Sequence, residues 1–405
     1  MLSPHIAIAG GGPAGFLVGL LLAQCHLPCV TLLEQSPVAD PWSSKSYSIS
    51  VTDRGLGAVE AAGVLRQVHT AGTIRNKVIM EMPGGIQREL PKDPPNYAIT
   101  RPALVECLEQ CLQAQAADQD GVTIKRGVAV TGVTNDNENG LLKVELDDGS
   151  TLECTHLVAA DGKWSAVRNS IPELETQFEV QEEPAFGVIM SSTVKSPERW
   201  SPDATTLFVP DSKDQTYYCL AAPLPDGQYS VSAICFDEIQ IAHPWLVPPE
   251  DGSDGCDQSD KTWEAEYSVD TSAQAKDSVQ ENFAKLLQEE LPLFYQDLTN
   301  GDDDTEHLSF RINRRTSWLK PRVEHPQYTD ATGRVALIGD AAHAMTPSQG
   351  EGCNCALESA VSLTQSLLEQ VKEGKDLSVE DITEAFQAYG TIRPSEVLPI
   401  QIKSA

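Results

Sequence analysis

The stretch HIAIAGGGPAG, residues 5–15, constrains the fold more than any other part of the 405-residue chain. An apolar run breaks at three glycines, continues as the helix-like FLVGLLLAQC, and is followed by a second apolar run, CVTLLE. Strand, tight turn, helix and strand make a βαβ unit, and a βαβ unit requires a parallel sheet. Gly10, Gly12 and Gly15 stand at the spacing G-x-G-x-x-G, with Pro13 and Ala14 inside the motif. Gly10 permits the turn, Gly12 leaves room for a pyrophosphate against the backbone, and Gly15 lets helix and strand close on each other. The helix N-terminus then faces the negative charge. Glu34 ends the second strand, where a carboxylate accepts from ribose hydroxyls; an acid there suits the unphosphorylated ribose of FAD or NAD better than NADP.

Further along, PALVECLEQCLQAQA (102–116) has helical spacing with Pro102 in its first turn. GVTIKRGVAVTGV (121–133) reads as a strand, and KVELDDGSTLECTHLVAA as a hairpin turning at Asp148-Gly149 followed by a further strand. Short alternating runs between 185 and 236 predict a mostly antiparallel sheet. Residues 249–262 are acidic and Gly/Ser-rich, the pattern of an exposed loop, and 272–291 is helical. RVALIGD (334–340) predicts a strand that returns to the first sheet. Residues 356–371 form a helix whose inner face carries Leu357, Ala360, Val361, Thr364, Leu367, Leu368 and Val371, with Gly374 as its stop. An ordinary NAD dehydrogenase continues with more βα units. A chain that inserts β-rich segments early and returns late to its first sheet points instead to a flavin protein.

Charge excludes several partners. Lys and Arg total 29 against 59 Asp and Glu, a net charge of −30. Nucleic acid and anionic membrane surfaces both need clustered cations. No apolar run approaches the roughly 18–20 residues of a membrane span. The strand-like N-terminus is not a secretory signal, so the ten cysteines are expected as free thiols in a cytoplasmic, reducing setting. Cys107 and Cys111 share one helical face, Cys25 and Cys29 flank Pro28, and all four read as core residues.

GDAAHAMTPSQGEGCNC, residues 339–355, brings Asp340, His343, Cys353 and Cys355 close in sequence, as a metal site would. The rest of the chain supplies a different reading. LVAADGKWSAVR (157–168), with Asp161, Gly162, Ser165 and Arg168, resembles the second motif of the FAD-dependent aromatic-ring hydroxylases, the group A flavoprotein monooxygenases. GDAAH followed by Pro347, Gly350 and Gly352 resembles their third motif, and the N-terminal glycines resemble the first. KSYSISVTDRG (45–55) and YAITRPALVECL (97–108) resemble flavin-adjacent segments of the kynurenine 3-monooxygenase branch.

The resemblance implies an α/β fold: a Rossmann-like FAD-binding domain of the p-hydroxybenzoate hydroxylase type with an inserted, mainly antiparallel β substrate domain. It assigns 1–75, 98–178 and 305–374 to the first and 76–97 and 179–304 to the second. Residues 375–405 resemble the start of a C-terminal helical part that is short here.

It implies FAD as cofactor, held by Gly10, Gly12, Pro13, Ala14, Gly15, Glu34, Arg54, Arg101, Val130, Asp161, Asp340, Gly350, Gly352, Cys353 and Asn354. Asp340 binds a ribityl hydroxyl. The backbone at Cys353 and Asn354 opens the last helix toward the flavin. His343 is structural, held by backbone partners, and no metal is bound. Arg54 and Pro347 take catalytic places. NAD(P)H is a transient co-substrate, since no second G-x-G-x-x-G occurs, and O2 reacts through a flavin C4a-hydroperoxide to hydroxylate a small aromatic molecule. Lys77 falls where kynurenine hydroxylases carry an arginine that holds the substrate carboxylate, apolar Leu90 and Pro91 stand near the position of their carboxylate-binding tyrosine, and Ser348 and Gln349 replace two pocket aromatics, so the substrate pocket is more polar. A flavin reductase or dehydrogenase of the same superfamily, and a non-catalytic FAD-binding protein, are the alternative activities.

Overall fold

The computed structural model describes residues 2–404 apart from 26, 28, 39–47, 119, 137–139, 184, 196, 211–215, 226, 237–238, 240–241, 244–245, 247–272, 300–309, 314–315 and 372–375. Side chains at 136, 182–195, 236, 273–280, 310–313 and 316 are likewise outside the description. The loop expected at 249–262, the helix stop expected at Gly374 and the start of the KSYSISVTDRG segment lie outside the described residues.

Ile6–Ala9 is the centre of a five-stranded, all-parallel sheet. Its order is Val335–Leu337, His156–Ala159, Ile6–Ala9, Val30–Glu34, Val122–Arg126. All four residues of the central strand are fully buried, which is why its sequence is continuously apolar rather than alternating. The Pro13–Gln24 helix is apolar on every side because the Arg101–Asp118 and Gly352–Leu368 helices pack against it.

An eight-stranded sheet carries the inserted β segments. Its order is Phe310–Asn313, Ala185–Lys195, Gln228–Phe236, Tyr217–Pro223, Ala204–Phe208, Thr73–Met82, Ile86–Thr100, Ser48–Val51. Every pair is antiparallel except Ala204–Phe208 with Thr73–Met82. Trp200, Phe208, Tyr229, Phe283 and Phe294 form a second apolar core between this sheet and the helices Ala273–Glu290 and Pro292–Thr299. The architecture is that of the FAD-binding Rossmann-like domain with an antiparallel insertion.

Three local expectations change. The run 121–133 is two strands in two sheets: Val122–Arg126 edges the parallel sheet and Val130–Asp136 joins a three-stranded antiparallel one. Gly127, at φ 75°, turns the chain between them. Period-two alternation does not record which sheet a strand joins. The strand expected over 334–340 is confined to Val335–Leu337, because Gly339 turns the chain and Asp340 already starts a short helix. The last predicted helix starts four residues early, at Gly352, and ends at Leu368. Leu368 and Val371 are about half exposed instead of facing the core, while Leu363 is fully buried. Leu368 is the last residue of the helix and Val371 lies beyond it, so neither is covered by the core.

Candidate active site

The glycine turn is shaped by contacts that only glycine allows. Gly10 has φ +98°, and a Cβ there would sit 2.4 Å from the Ala160 carbonyl oxygen; one on Gly15 would sit 1.9 Å from that of Gly10. Gly12 differs: the nearest atom to its missing Cβ is Arg101 Nη2 at 3.4 Å, so this side of the turn is open. Gly12 is also the N-cap of the Pro13–Gln24 helix, without side-chain capping. The first-turn amides of Ala14 and Gly15 therefore lack side-chain partners. Glu34 accepts from the Gly11 amide at 2.6 Å and from the Ser36 amide at 2.8 Å. Val128 donates to the Glu34 carbonyl, and Val130 follows, half-buried against the main core.

Asp161 follows the next parallel strand. Its Oδ2 accepts from the Val167 amide at 3.2 Å, while its buried Oδ1 has no partner. Burial pushes this carboxyl above the ordinary carboxylate range, against the pull of Ser165 and Arg168. Ser165 caps the Arg168 amide at 2.9 Å. Arg168, 3% exposed, donates to the Lys163 carbonyl and, at 2.9 Å, to the Ala341 carbonyl. One guanidinium thus ties the Asp161 loop to the short Asp340–His343 helix.

Gly339, at φ 58°, lies where the two ends of the site meet: its missing Cβ would be 3.2 Å from Ala14 Cβ and 3.3 Å from Ala356 Cβ. The first glycine turn and the start of the last core helix accordingly flank one cleft, with Asp340 between them. Asp340 is exposed by surface area, yet burial pushes its carboxyl up, against Lys163 and Arg101. Both hold for a group on the floor of a cleft, open to a water-sized neighbour and surrounded by protein further out. Burial also pushes the Cys353 thiol up to about 12, so it is neutral.

Asn354 is fully buried and its side chain is a cross-tie. Oδ1 accepts from the Thr52 amide at 3.0 Å; Nδ2 donates to the Ser50 carbonyl at 2.9 Å and the Gly350 carbonyl at 3.0 Å. This fixes the helix start against the edge strand of the large sheet. It also explains the Arg54-Gly55 pair: a Cβ at Gly55 would stand 2.3 Å from Asn354 Oδ1. Arg54 pairs with Glu358 at 2.5 Å and with Glu351 at 3.6 Å, and Glu358 also binds Arg393 at 2.7 Å.

His343 is held by a side-chain hydroxyl and not by the backbone partners expected, and its buried Nδ1 has no partner. Its Nε2 lies 2.8 Å from Ser359 Oγ, and burial holds its pKa near 3, so it stays a neutral hydrogen-bonding group. Among the described residues no group of three or more His, Cys, Asp or Glu is placed to hold a metal.

The structure brings Gly10, Gly12, Pro13, Ala14, Gly15, Arg101, Asp161, Asp340, Cys353 and Asn354 around the cleft, with Glu34 and Val130 at one end and Gly350 and Gly352 at the other. Pro347, Ser348 and Gln349 form an exposed turn on the rim. Ser348 Oγ donates to the Ser404 carbonyl at 2.7 Å, so the loop is pinned by the end of the Val379–Ser404 helix. Lys77 lies 3.4 Å from Glu89 and shares a sheet face with Ile79 and Glu81, away from this cleft. Glu81 on that face binds Arg199, which also pairs with Asp297 of the helical layer. Sequence reading passed over the ties made by Arg168, the Asn354 side chain and Arg393. No local pattern marks any of them, because each partner lies far off in sequence.

The orphaned Asp161 oxygen, the open face of Gly12 and the uncapped helix starts fit a dinucleotide stretched through the cleft. The parallel sheet, this cleft and the adjoining antiparallel sheet define a FAD-dependent flavoprotein. The chain belongs to the FAD binding domain family, whose profile matches residues 4–281 and 301–383, within the FAD-dependent monooxygenase superfamily that includes the group A flavoprotein hydroxylases. It is 26% identical over 421 residues to kynurenine 3-monooxygenase of Stenotrophomonas maltophilia, covering 98% of this chain and 77% of that protein. It is 22% identical to the kynurenine 3-monooxygenase of Dictyostelium discoideum, covering 90% of this chain and 70% of the relative. A solved structure of Klebsiella pneumoniae HpxO complexed with FAD has the same fold, with a TM-score of 0.69, 20% identity and coverage of 99% of this chain and 88% of that one. Among the described residues no helix is long and apolar enough to cross a membrane.

Proposed function

We propose that this chain is a monooxygenase that uses NAD(P)H and O2 to hydroxylate a small aromatic molecule. The observation that carries the reading is the meeting of the first glycine turn and the start of the Gly352–Leu368 helix at Gly339, with Asp340 and Arg101 beside it. FAD bound there supplies the electron transfer from NAD(P)H to O2.

The chain's own groups supply position and electrostatics. The Ala14 and Gly15 amides and Arg101 hold the pyrophosphate. Glu34 exchanges its Gly11 bond for a ribose hydroxyl, with Val130 against the adenosine end. Asp340 accepts from a ribityl hydroxyl, and the unpartnered oxygen of Asp161 accepts from a hydroxyl of the cofactor. Gly350 and Gly352 keep the rim low, and the amides at Cys353 and Asn354 place the positive helix end where negative charge develops. Arg54 stabilises that helix start from behind through Glu351 and Glu358, and Pro347 shapes the rim with Ser348 and Gln349. A closed, dry pocket is needed so that oxygen is transferred to substrate and not lost to water.

The test is to purify the protein, quantify bound FAD, and follow NAD(P)H oxidation with a panel of phenols, anilines and aromatic acids, with peroxide measured in parallel. A protein that takes up no FAD refutes the reading. A similarity to menaquinone reductase of Mycolicibacterium smegmatis, 26% over 231 residues, favours a flavin-dependent reductase as the second reading. Oxygen-18 from O2 in the product supports hydroxylation; reduced acceptor without label supports the reductase.

A further inference from the structure

Two carboxylates share one arginine beside the start of the Gly352–Leu368 helix, and the structure treats them unequally. Glu351 is the residue before the first turn of that helix, between Gly350 and Gly352 on the rim of the cofactor cleft. Glu358 lies about two turns further along the same helix. Arg54, in the first turn of the Asp53–Ala61 helix, reaches both. Its Nη1 donates to Glu358 at 2.5 Å, but its Nε stands 3.6 Å from Glu351, beyond hydrogen-bond length. Glu358 also accepts from Arg393 Nη2 at 2.7 Å. Two guanidinium groups therefore converge on Glu358, and Glu351 is left with the long contact.

Little else compensates Glu351. Its side chain does not cap its own helix. Among the described residues its buried Oε2 has no hydrogen-bond partner, and neither has the Thr52 hydroxyl beside it. Lys92 attracts the carboxylate and Glu358 repels it. The Cys355 thiol nearby is neutral, pushed up to about 11 by burial. Burial pushes the Glu351 carboxyl above the ordinary range, against the pull of Arg54, Thr52 and Lys92. Glu358 goes the other way: despite its burial, Arg393 and Arg54 hold it below the ordinary range. Environments that push two neighbouring carboxyl groups apart give them different tasks. Glu358 is the fixed anion, and Glu351 is the group whose proton moves. The Glu351 side chain is 24% exposed, so that proton exchanges with water directly.

The change it answers is the charge of the bound cofactor. The first-turn amides and the positive helix end at Cys353 and Asn354 favour negative charge in the cleft. An ionised Glu351 beside the same turn competes with that charge for the helix end and for Arg54. A hydride from NAD(P)H carries two electrons and one proton, so reduction leaves the cleft one negative charge richer. A new like charge raises the pKa of a carboxyl group, and a carboxyl whose pKa is already raised responds by binding a proton.

We infer that Glu351 is a positioning residue that balances the charge of the flavin: it takes up one proton from water when the flavin is reduced and releases it on reoxidation. It acts through the first turn of the Gly352–Leu368 helix, and Arg54 and Glu358 set the pH at which it does so. The hydride brings one negative charge and the proton cancels it. The inference rests on FAD lying in this cleft. It does not rest on hydroxylation, and it holds equally for a reductase.

The experiment is the two-electron midpoint potential of the FAD-loaded protein, measured against indicator dyes from pH 5 to 9, for wild type, Glu351→Gln and Glu358→Gln. FAD content and thermal midpoint are recorded for each. One proton per two electrons changes the reduction equilibrium tenfold per pH unit, about 30 mV. The wild-type and Glu351→Gln curves should converge toward the acid end, where Glu351 is neutral in both redox states. Toward the alkaline end the wild type should fall below Glu351→Gln by tenfold or more in the equilibrium, about 30 mV. Glu358→Gln frees Arg54 for Glu351 and removes a repelling charge; both favour the ionised form, so the steep part of the curve should move to lower pH. If Glu351→Gln takes up no FAD, that shift decides. Parallel curves for wild type and Glu351→Gln overturn the inference, because a merely structural role gives a constant offset. So does a potential lowered by Glu351→Gln, or a Glu358→Gln curve whose steep part stays in place or moves to higher pH. Wild-type protein that takes up no FAD overturns the cofactor assignment along with the inference, and the FAD content distinguishes that failure from the others.

Discussion

Gly55 and Asn354, 299 positions apart in sequence, should behave as one unit in a double-mutant cycle. Asn354→Ala removes three buried hydrogen bonds, to the Thr52 amide and to the Ser50 and Gly350 carbonyls. The amide is left without an acceptor, at roughly 1–3 kcal/mol, while each carbonyl keeps a second lone pair for other donors. A net loss of about 3 kcal/mol follows. Gly55→Ala places a methyl 2.3 Å from Asn354 Oδ1 and 2.9 Å from Val51 Cγ1. Overpacking of that kind costs about 2 kcal/mol, partly offset by the roughly 1 kcal/mol that alanine gains over glycine in a helix. Independent sites would lose about 4 kcal/mol together. Once Asn354 is alanine, however, the oxygen that the methyl strikes is gone, and the remaining contact with Val51 Cγ1 is offset by the helix gain. The double variant should be no less stable than Asn354→Ala alone, a coupling of about 1–2 kcal/mol. Urea denaturation of the four proteins, with and without saturating FAD, measures it. Both single variants should also bind FAD less tightly, because both displace the start of the Gly352–Leu368 helix. Additive losses within about 0.5 kcal/mol, or FAD affinity untouched by either change, would refute the claim that this pair sets the helix start.

Gly15→Ala and Gly12→Ala should separate folding from cofactor binding. The first drives a methyl to 1.9 Å from the Gly10 carbonyl and should yield little folded protein. The second meets only the end of Arg101 and should keep its thermal midpoint within a few degrees while losing tenfold or more in FAD affinity. Equal folding defects in both would argue against a ligand at Gly12. His156 and His343 are buried and neutral, each with a pKa near 3 against 6.5 when unfolded. Unfolding therefore takes up protons below pH 6.5, and stability falls as pH drops from there toward 3. At pH 5 each histidine should contribute a loss of about 2 kcal/mol, and His343→Gln should remove its share of the difference between urea midpoints at pH 7 and 5. An unchanged pH slope would contradict this. Gln401, 1% exposed, donates to the Leu319 and Ala344 carbonyls. Gln401→Ala should cost about 2 kcal/mol and expose the Val379–Ser404 helix to limited proteolysis, whereas proteolysis at the wild-type rate would show that the helix is held elsewhere.

What the sequence disclosed, and what it hid, divides by the range of the interactions. The βαβ unit around Gly10, Gly12 and Gly15 is readable because turn, helix start and close approach all involve neighbours within a few residues. Alternation marked the strands at 204–208, 217–223 and 228–236 for the same reason. It could not place 122–126 and 130–136 in different sheets, because a single positive-φ glycine at 127 decides that. Helical spacing located the Gly352–Leu368 helix but assigned Leu368 and Val371 to the core, since periodicity does not show that the helix ends at Leu368 and leaves its last turn at the surface. The site divides in the same way. Residues acting through backbone shape announce themselves as glycines. Residues acting as ties, such as Arg168 with the Ala341 carbonyl and Asn354 with Ser50 and Thr52, have partners about 170 and 300 positions away. The choice between Arg75 and Lys77 is the sharpest instance. Both are cations on one strand at the same parity, so alternation gives them the same face. The pairing with Ile86–Thr100 shifts between them, and Arg75 turns to Thr205 while Lys77 turns to Glu89. Charge type and spacing were legible, but the side of the sheet was not, and the side decides which partners each of the two meets.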